Sequence, residues 1–218
     1  MRTAVFGGTF DPIHLGHLRV AEEAFEGIRL DRVVFMPAFV APHKQGRPTA
    51  EPEKRLEMAR LAVEGNPNFE VSDAEIKRQS RSYTIDTVRE LKEKGGKDLS
   101  LSLIVGSDSF NDITTWCDYE RLFELTGFIV VQRPGFPVKK PGEALPVELA
   151  RKFWYDAGTE AYMCSYGTSI VYFNATHMAI SSSDIRERVG DGASIRYLVP
   201  EKVIEYIARH GLYKQPGP

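Results

Sequence analysis

The stretch from residue 3 to residue 20, TAVFGGTFDPIHLGHLRV, limits the folds open to this chain more than any other part of the sequence. It opens with a short apolar run that has the length of a buried strand. Gly7 and Gly8 follow, and adjacent glycines let the backbone approach a ligand closely or adopt a positive φ. A tight connection then leads into a helix that we predict to begin near Ile13 or His14. The pattern predicts a strand, a glycine turn and a helix N-terminus in direct succession.

Two histidines stand at this predicted helix start. His14 and His17 are three positions apart, so their side chains project from the same face of the first turn. The unpaired N–H groups and the dipole of that turn favour an anion. Gly16 lowers helix propensity but leaves the space beside the two rings empty. We therefore predict a phosphate site. The alternatives are an exposed histidine pair or half of a metal site, although no third ligand at a recognisable spacing lies nearby.

Composition bounds the class of protein. A chain of 218 residues is expected to form one domain over 1–218. Its formal net charge of −2 gives no basic footprint, so a nucleic-acid partner is not expected. Cys117 and Cys164 form no CxxC motif and fit a reducing compartment. No apolar run has the length of a membrane span, and the N-terminus shows no signal-peptide core, so we expect a cytoplasmic protein without a membrane partner.

Strands and helices alternate along the chain. The pattern predicts strands at 4–6, 32–36, 69–71, 101–105, 128–131 and 170–173, and helices from about 13 to 24 and at 51–64, 85–95, 147–155, 181–189 and 200–210, with Thr84 as one N-cap. This alternation predicts an α/β fold with a mainly parallel sheet and helices on both faces. Ligands of such sheets bind beyond the carboxyl ends of the strands. Gly7, Gly106 and Arg133 each follow a predicted strand and would share that rim.

Further candidate residues each allow a second interpretation. Ser181 and Ser182, with Arg186 one turn later, could cap a helix or bind phosphate at its N-terminus. Lys44 could be a solvated loop lysine or a phosphate clamp. Asp108 could cap a helix or face a ribose hydroxyl or a metal-bound phosphate. Trp116 could belong to the core or stack on a planar ring, and Arg133 is similarly ambiguous.

Motifs that the sequence lacks narrow the chemistry. It contains no GxxxxGK[ST], no GxGxxG and no GxSxG. When a substrate phosphate is itself the nucleophile, it needs no general base. Attack on the α-phosphate of ATP then needs positioning and donors around the developing charge. Two imidazoles, a lysine, an arginine and helix N-termini match that requirement, which points to nucleotidyl transfer without a covalent enzyme intermediate.

Two motifs carry a resemblance to a known family. GGTFDPIHLGH at 7–17 and ISSSDIR at 180–186 resemble the HxGH nucleotidyltransferases, which are small Rossmann-like enzymes. Further stretches are similar to those of the bacterial nicotinate-nucleotide adenylyltransferases: PAFVAPHK at 37–44, SYTIDTV at 82–88, VGSDSFNDITTWCDYERL at 105–122, VVQRPG at 130–135 and VPEKVIEYIARHGLY at 199–213. The resemblance implies adenylyl transfer from ATP to nicotinate mononucleotide, giving deamido-NAD and pyrophosphate in NAD biosynthesis.

The resemblance also implies roles for individual residues. The implied catalytic residues are His14, His17, Lys44 and Arg186. The implied ATP-binding residues are Gly8, Thr9, Phe10, Gly106, Asp108, Ile180, Ser181 and Ser182. The implied residues for the mononucleotide are Thr84, Trp116, Cys117 and Arg133, with Cys117 acting through its backbone. Mg²⁺ is expected to arrive with ATP, since no dedicated carboxylate cluster is evident.

Several alternatives stay open at this point. Ala41 stands where the family usually has a proline. The segment 136–168 is longer than the usual connection and could be an insertion that acts as a lid, a subunit contact or a surface excursion. Homo-oligomerisation is open as well. The acceptor could instead be nicotinamide mononucleotide, phosphopantetheine or a polyol phosphate, and a nucleotide sensor without turnover is a rival of another class.

Overall fold

The fold is built around the strand that the first motif predicts. The computed structural model describes residues 1–40, 50–96, 98–132 and 137–214. Its strands are β1 (Arg2–Gly8), β2 (Arg32–Pro37), β3 (Phe69–Val71), β4 (Ser100–Gly106), β5 (Gly127–Val131), β6 (Phe153–Asp156), β7 (Ala161–Cys164) and β8 (Ser169–Phe173). They form one sheet in the order β3-β2-β1-β4-β5-β8-β7-β6. β1 to β5 and β8 run parallel, while β6 and β7 are antiparallel at one edge.

Ten α-helices are described. They are α1 (Leu15–Ile28), α2 (Pro52–Val63), α3 (Ala74–Arg78), α4 (Thr84–Gly95), α5 (Ser107–Asn111), α6 (Tyr119–Leu125), α7 (Pro141–Ala144), α8 (Val147–Ala150), α9 (Ser182–Gly190) and α10 (Glu201–Arg209). A short 3-10 helix spans Ile113–Thr115. Within these described ranges, no helix is long and apolar enough to cross a bilayer.

Two hydrophobic clusters lie on opposite faces of the sheet. Consecutive strand residues point to opposite faces, so Ala4 and Val33 join one cluster while Val5 and Val34 join the other. Helices α1, α2, α9 and α10 cover the first cluster, and α4, α5 and α6 cover the second. The prediction of a mainly parallel sheet with helices on both faces is confirmed, and the strands form a single α/β domain.

One predicted helix is wrong. The sequence pattern predicted a helix over 147–155, but α8 ends at Ala150 and β6 begins at Phe153. The aromatic run Phe153-Trp154-Tyr155 favours an extended chain that pairs with β7. β7 and β6 extend the sheet beyond β8, so the described part of 136–168 contributes the last two strands, with β6 at the edge. Its interpretation as an insertion stays a prediction.

Candidate active site

A cleft runs along the carboxyl ends of β1 and β4, where three cavities adjoin. The first cavity has about 300 Å³, the central cavity about 380 Å³ and the third cavity about 560 Å³. The first is lined by Glu75, Ser82, Thr84, Thr87, Trp116 and Cys117, among others. The central one is lined by Phe10, Asp11 and Asp108, and the third by His14, Ile180 and Ser181. Gly8 and Thr9 border the first two cavities, and His17, Ser182 and Arg186 border the last two.

The cleft brings together nearly all of the residues predicted from the sequence. Every predicted site residue that the structure describes lines one of the three cavities. Gly106 ends β4, and Asp108 follows in the first turn of α5. Lys44 and Arg133 lie outside the described residues. Their roles, like those of the others, stay predictions.

The histidine pair is organised by the start of α1. His14 is the N-cap and His17 is the third helical residue. The backbone N–H of His17 donates to Nδ1 of His14 at 3.3 Å, and the N–H of His14 donates to Nδ1 of His17 at 3.2 Å. Since each Nδ1 accepts a hydrogen bond, each neutral ring carries its proton on Nε2. Helix capping thereby fixes two Nε2–H donors beside the central and third cavities.

The two imidazole rings stack on each other. Their centroids are 3.6 Å apart and their planes differ by 24°. His17 also meets the edge of Phe10, with centroids 5.0 Å apart. Phe10 is buried and has a positive φ of 48°. The edge contact with Phe10 and the Nδ1 hydrogen bond together restrict the orientation of the His17 ring.

Gly16 leaves the space that the rings occupy. A Cβ at this position would lie 3.1 Å from Nδ1 and 3.2 Å from Cε1 of His14. Such a contact is tighter than ordinary van der Waals packing. The structure therefore supports the prediction that the glycine is present for the rings rather than for the backbone.

Replacing Gly16 by alanine tests that conclusion. The new methyl group displaces the His14 ring by a few tenths of an ångström, although alanine raises helix propensity by about 1 kcal/mol. We expect kcat to fall about tenfold while the protein stays at least as stable. Steady-state rates and thermal unfolding of Gly16→Ala and Gly142→Ala give the comparison. Gly142 is a matched control because a Cβ there has no atom within 4 Å. Equal kcat for both variants contradicts the role of Gly16.

Helix α9 is joined to the loop that follows β1. Ser181 is its N-cap and accepts the Asp184 N–H at 3.1 Å, so the capping interpretation of this serine is confirmed. The Ser182 hydroxyl donates to the Pro12 carbonyl at 2.9 Å. Arg186 Nη1 donates to the Asp11 carbonyl at 2.7 Å. The side chains of Ser182 and Arg186 both border the cleft. The first turns of α9 therefore contain a capping serine and two residues that line the cavities.

The start of α4 lines the first cavity. Thr84 was predicted to cap this helix, which is wrong: Tyr83 is the N-cap and Thr84 is the first residue of α4. Tyr83 has the extended conformation of a cap, with φ of −75° and ψ of 126°. The N–H of Thr84 is therefore one of the first donors of the helix, and these lack intrahelical partners. Trp116 is partly buried against the second hydrophobic cluster and also lines the cavity, and its stacking on a planar ring stays a prediction.

A buried acid at the first cavity was missed. Glu75 lies in the five-residue helix α3, which is too short for a periodic pattern. Thr87 donates to its Oε1 at 2.6 Å, and Arg78 donates to the Thr87 hydroxyl at 3.3 Å. Burial raises the pKa of Glu75. The shift favours the neutral acid, which is compatible with an anion in the same cavity.

A buried arginine that contacts the loop after β1 was missed as well. Arg55 lies in α2 and is 2% exposed. Its guanidinium donates to the carbonyls of Thr9 at 2.7 Å, Ala50 at 3.0 Å and Phe39 at 3.0 Å. The sequence placed it on a helix with charged neighbours, where an arginine is normally solvated. Only tertiary contacts distinguish it from Arg60, the exposed arginine of the same helix.

Comparisons with known proteins identify the family of this chain. A family model described as cytidylyltransferase-like matches residues 5–188. A protein of Citrifermentans bemidjiense named as a probable nicotinate-nucleotide adenylyltransferase is 50% identical over 98% of each chain. One of the same name from Geobacter sulfurreducens is 42% identical over 100% of each. The chain therefore belongs to the cytidylyltransferase-like nucleotidyltransferases and, within them, to the family of the nicotinate-nucleotide adenylyltransferases, as its motifs predicted.

A solved structure shares the fold. The Plasmodium falciparum nicotinic acid mononucleotide adenylyltransferase, solved in complex with NaAD, superposes with a TM-score of 0.71. The alignment covers 97% of each chain at 19% sequence identity. At this identity the likeness concerns the fold alone, and it confirms the predicted Rossmann-like architecture.

Proposed function

We propose that this chain transfers the adenylyl group of ATP to nicotinate mononucleotide and releases pyrophosphate. A phosphate oxygen of the mononucleotide attacks the α-phosphorus of ATP in line with the departing bond. The new P–O bond gives deamido-NAD, and the bond to the bridging oxygen breaks with its electron pair on pyrophosphate. The stacked histidine pair at the start of α1 is the observation that carries the proposal.

The central and third cavities would hold ATP. The Nε2–H donors of His14 and His17 would meet phosphate oxygens and stabilise the charge that develops at the α-phosphate. Arg186, at the border of both cavities, would neutralise the departing pyrophosphate. In the same arrangement Gly8, Thr9 and Phe10 would line the phosphate path, Asp108 and Gly106 would lie near the ribose, and Ile180, Ser181 and Ser182 would contact adenine and phosphate.

The first cavity would hold the pyridine ring. Trp116 would stack on the ring, and the first N–H groups of α4, together with the backbone after Trp116 at Cys117, would face its carboxylate. A nicotinamide amide would turn an N–H₂ toward these donors and leave them unpaired, so nicotinate would be preferred. Lys44 and Arg133 would meet the phosphate of the mononucleotide.

Mg²⁺ would enter with the nucleotide. Among the described residues, no group of three or more His, Cys, Asp or Glu side chains could hold a metal ion by itself. Mg²⁺ is commonly bound by substrate phosphates, waters and one or two carboxylates, and Asp108 is a carboxylate at the central cavity. The ion would add positive charge at the phosphates. The cytoplasmic location and the oligomeric state stay predictions.

Pyrophosphate release tests this proposal. The full chain is mixed with ATP and Mg²⁺ and with one acceptor at a time: nicotinate mononucleotide, nicotinamide mononucleotide or phosphopantetheine. We expect the first to give a kcat/KM at least about a hundredfold above the second, because unpaired donors disfavour the amide. Phosphopantetheine should give no release above background.

Each other outcome supports a different function. Turnover with phosphopantetheine alone keeps the phosphate site and removes the pyridine assignments. Comparable turnover with both pyridine mononucleotides keeps the reaction and removes the preference for nicotinate. ATP binding by calorimetry without pyrophosphate release from any acceptor supports a nucleotide sensor.

A further inference from the structure

A buried carboxylate lies at the edge of the central cavity. Asp11 is 2% exposed. Its Oδ1 accepts the hydroxyl of Tyr213 at 2.8 Å and the N–H of Ala50 at 2.9 Å. A carboxylate with so little contact with water needs such donors to replace its lost hydration and to hold it in place. Two donors on one oxygen fix the plane of the carboxylate.

The same residue holds Arg186 in two ways. Arg186 Nη1 donates to the main-chain carbonyl of Asp11 at 2.7 Å and lies 3.5 Å from its Oδ2. The longer distance to Oδ2 leaves the ion pair incomplete, because a close charge-assisted bond would be about 2.7–2.9 Å long. The guanidinium thus forms a hydrogen bond with the backbone and a long ion pair, without a direct hydrogen bond, with the carboxylate.

Tyr213 reaches this point from the far end of the chain. It follows α10 and has a positive φ of 63°. It also lies beyond residues 5–188, the part that the family model matches. Burial and the neighbouring Asp11 carboxylate raise the pKa of Tyr213. The hydroxyl therefore stays a donor throughout the neutral range.

We infer that Tyr213 is a positioning residue, which keeps the Asp11 carboxylate from capturing Arg186 and so leaves this guanidinium available to the departing pyrophosphate. The inference rests on the proposed function, since it assumes that Arg186 acts on pyrophosphate. Without the hydroxyl, Oδ1 keeps the Ala50 N–H and loses its other donor. The carboxylate then turns and completes the ion pair with Arg186, which competes directly with the leaving group.

A double-mutant cycle measures this coupling. The four proteins are the wild type, Tyr213→Phe, Arg186→Ala and the double variant. Pyrophosphate release is followed with the enzyme in excess over nicotinate mononucleotide, so that slow variants still give a rate. We expect Tyr213→Phe to lower this single-turnover rate about tenfold, and to leave the KM for nicotinate mononucleotide, from separate steady-state assays, unchanged. In the Arg186→Ala background the same change should have no further effect, because the two residues act as one unit.

Tyr206→Phe is the matched control. Tyr206 lies on α10, where its ring contacts that of His210 with centroids 4.2 Å apart and planes tilted by 41°, and it lines none of the three cavities. It should keep the wild-type rate. Asp11→Asn removes the charge of the carboxylate that contacts Tyr213, so it tests the inference even when one variant does not fold. Its rate should also be insensitive to Tyr213→Phe.

Two results overturn the inference. One is a wild-type rate for Tyr213→Phe, and the other is an equal loss from Tyr213→Phe with and without Arg186, which indicates a general structural role. Failure of the proposed function has a different signature, since the wild type itself would then release no pyrophosphate with nicotinate mononucleotide.

Discussion

Replacing His17 by alanine is expected to lower kcat by about 10²- to 10³-fold, the range measured when one preorganised donor to a developing oxyanion is removed. The imidazole Nδ1 accepts the His14 N–H, which directs Nε2–H toward the cavities. Alanine removes this donor, and it also removes half of the reciprocal helix cap, so His14 loses its support. The loss of the cap should lower the free energy of unfolding by about 1 kcal/mol.

The measurement separates the two effects. Rates of pyrophosphate release are compared with thermal unfolding for His17→Ala and for His210→Ala. His210 is the C-cap of α10 and its ring contacts that of Tyr206, so its replacement removes the same ring from a place outside the cleft. We expect His210→Ala to keep the wild-type kcat. A folded His17→Ala protein with kcat within threefold of the wild type contradicts the mechanism.

The position of the cleft could be predicted because it depends on local signals. Gly7-Gly8 and Gly106 end two parallel strands, and parallel strands place their carboxyl ends on one rim. The histidine spacing identified the first turn of α1, and the Ser181 N-cap identified the start of α9. Each signal lies within one strand-to-helix connection, where residues that are close in sequence are also close in space.

The remaining contacts could not be predicted because they join distant parts of the chain. Tyr213 reaches Asp11 across 202 positions, and Arg55 reaches Thr9 across 46. No periodicity links such residues. Glu75 lies in a helix of five residues, and the hydrophobic pattern of so short an element does not distinguish helix from loop. The sequence predicts the side chains that line the cleft better than the buried side chains that stabilise the loop after β1.

Arg55 is the supporting residue whose loss should cost most. Its guanidinium is the donor for three carbonyls on three separate segments, at Thr9, Phe39 and Ala50. Burial lowers the pKa of Arg55, while the charge of Asp11 opposes that shift and supports the ionised form. Alanine leaves a void and three acceptors without this donor. We expect Arg55→Ala to lower the free energy of unfolding by about 3–5 kcal/mol, as when one partner of a buried charged contact is removed.

Arg60→Ala provides the matched control on the same helix. Arg60 is about half exposed and forms ion pairs of 3.6 Å with Glu57 and 3.4 Å with Asp73. Solvated pairs of this kind contribute at most about 1 kcal/mol, and the change in helix propensity is the same at both positions. Urea unfolding of both variants therefore isolates the buried contacts. If the two losses in the free energy of unfolding agree within about 1 kcal/mol, the three carbonyls find other donors. Arg55 then does not stabilise the loop after β1, which contains Phe10.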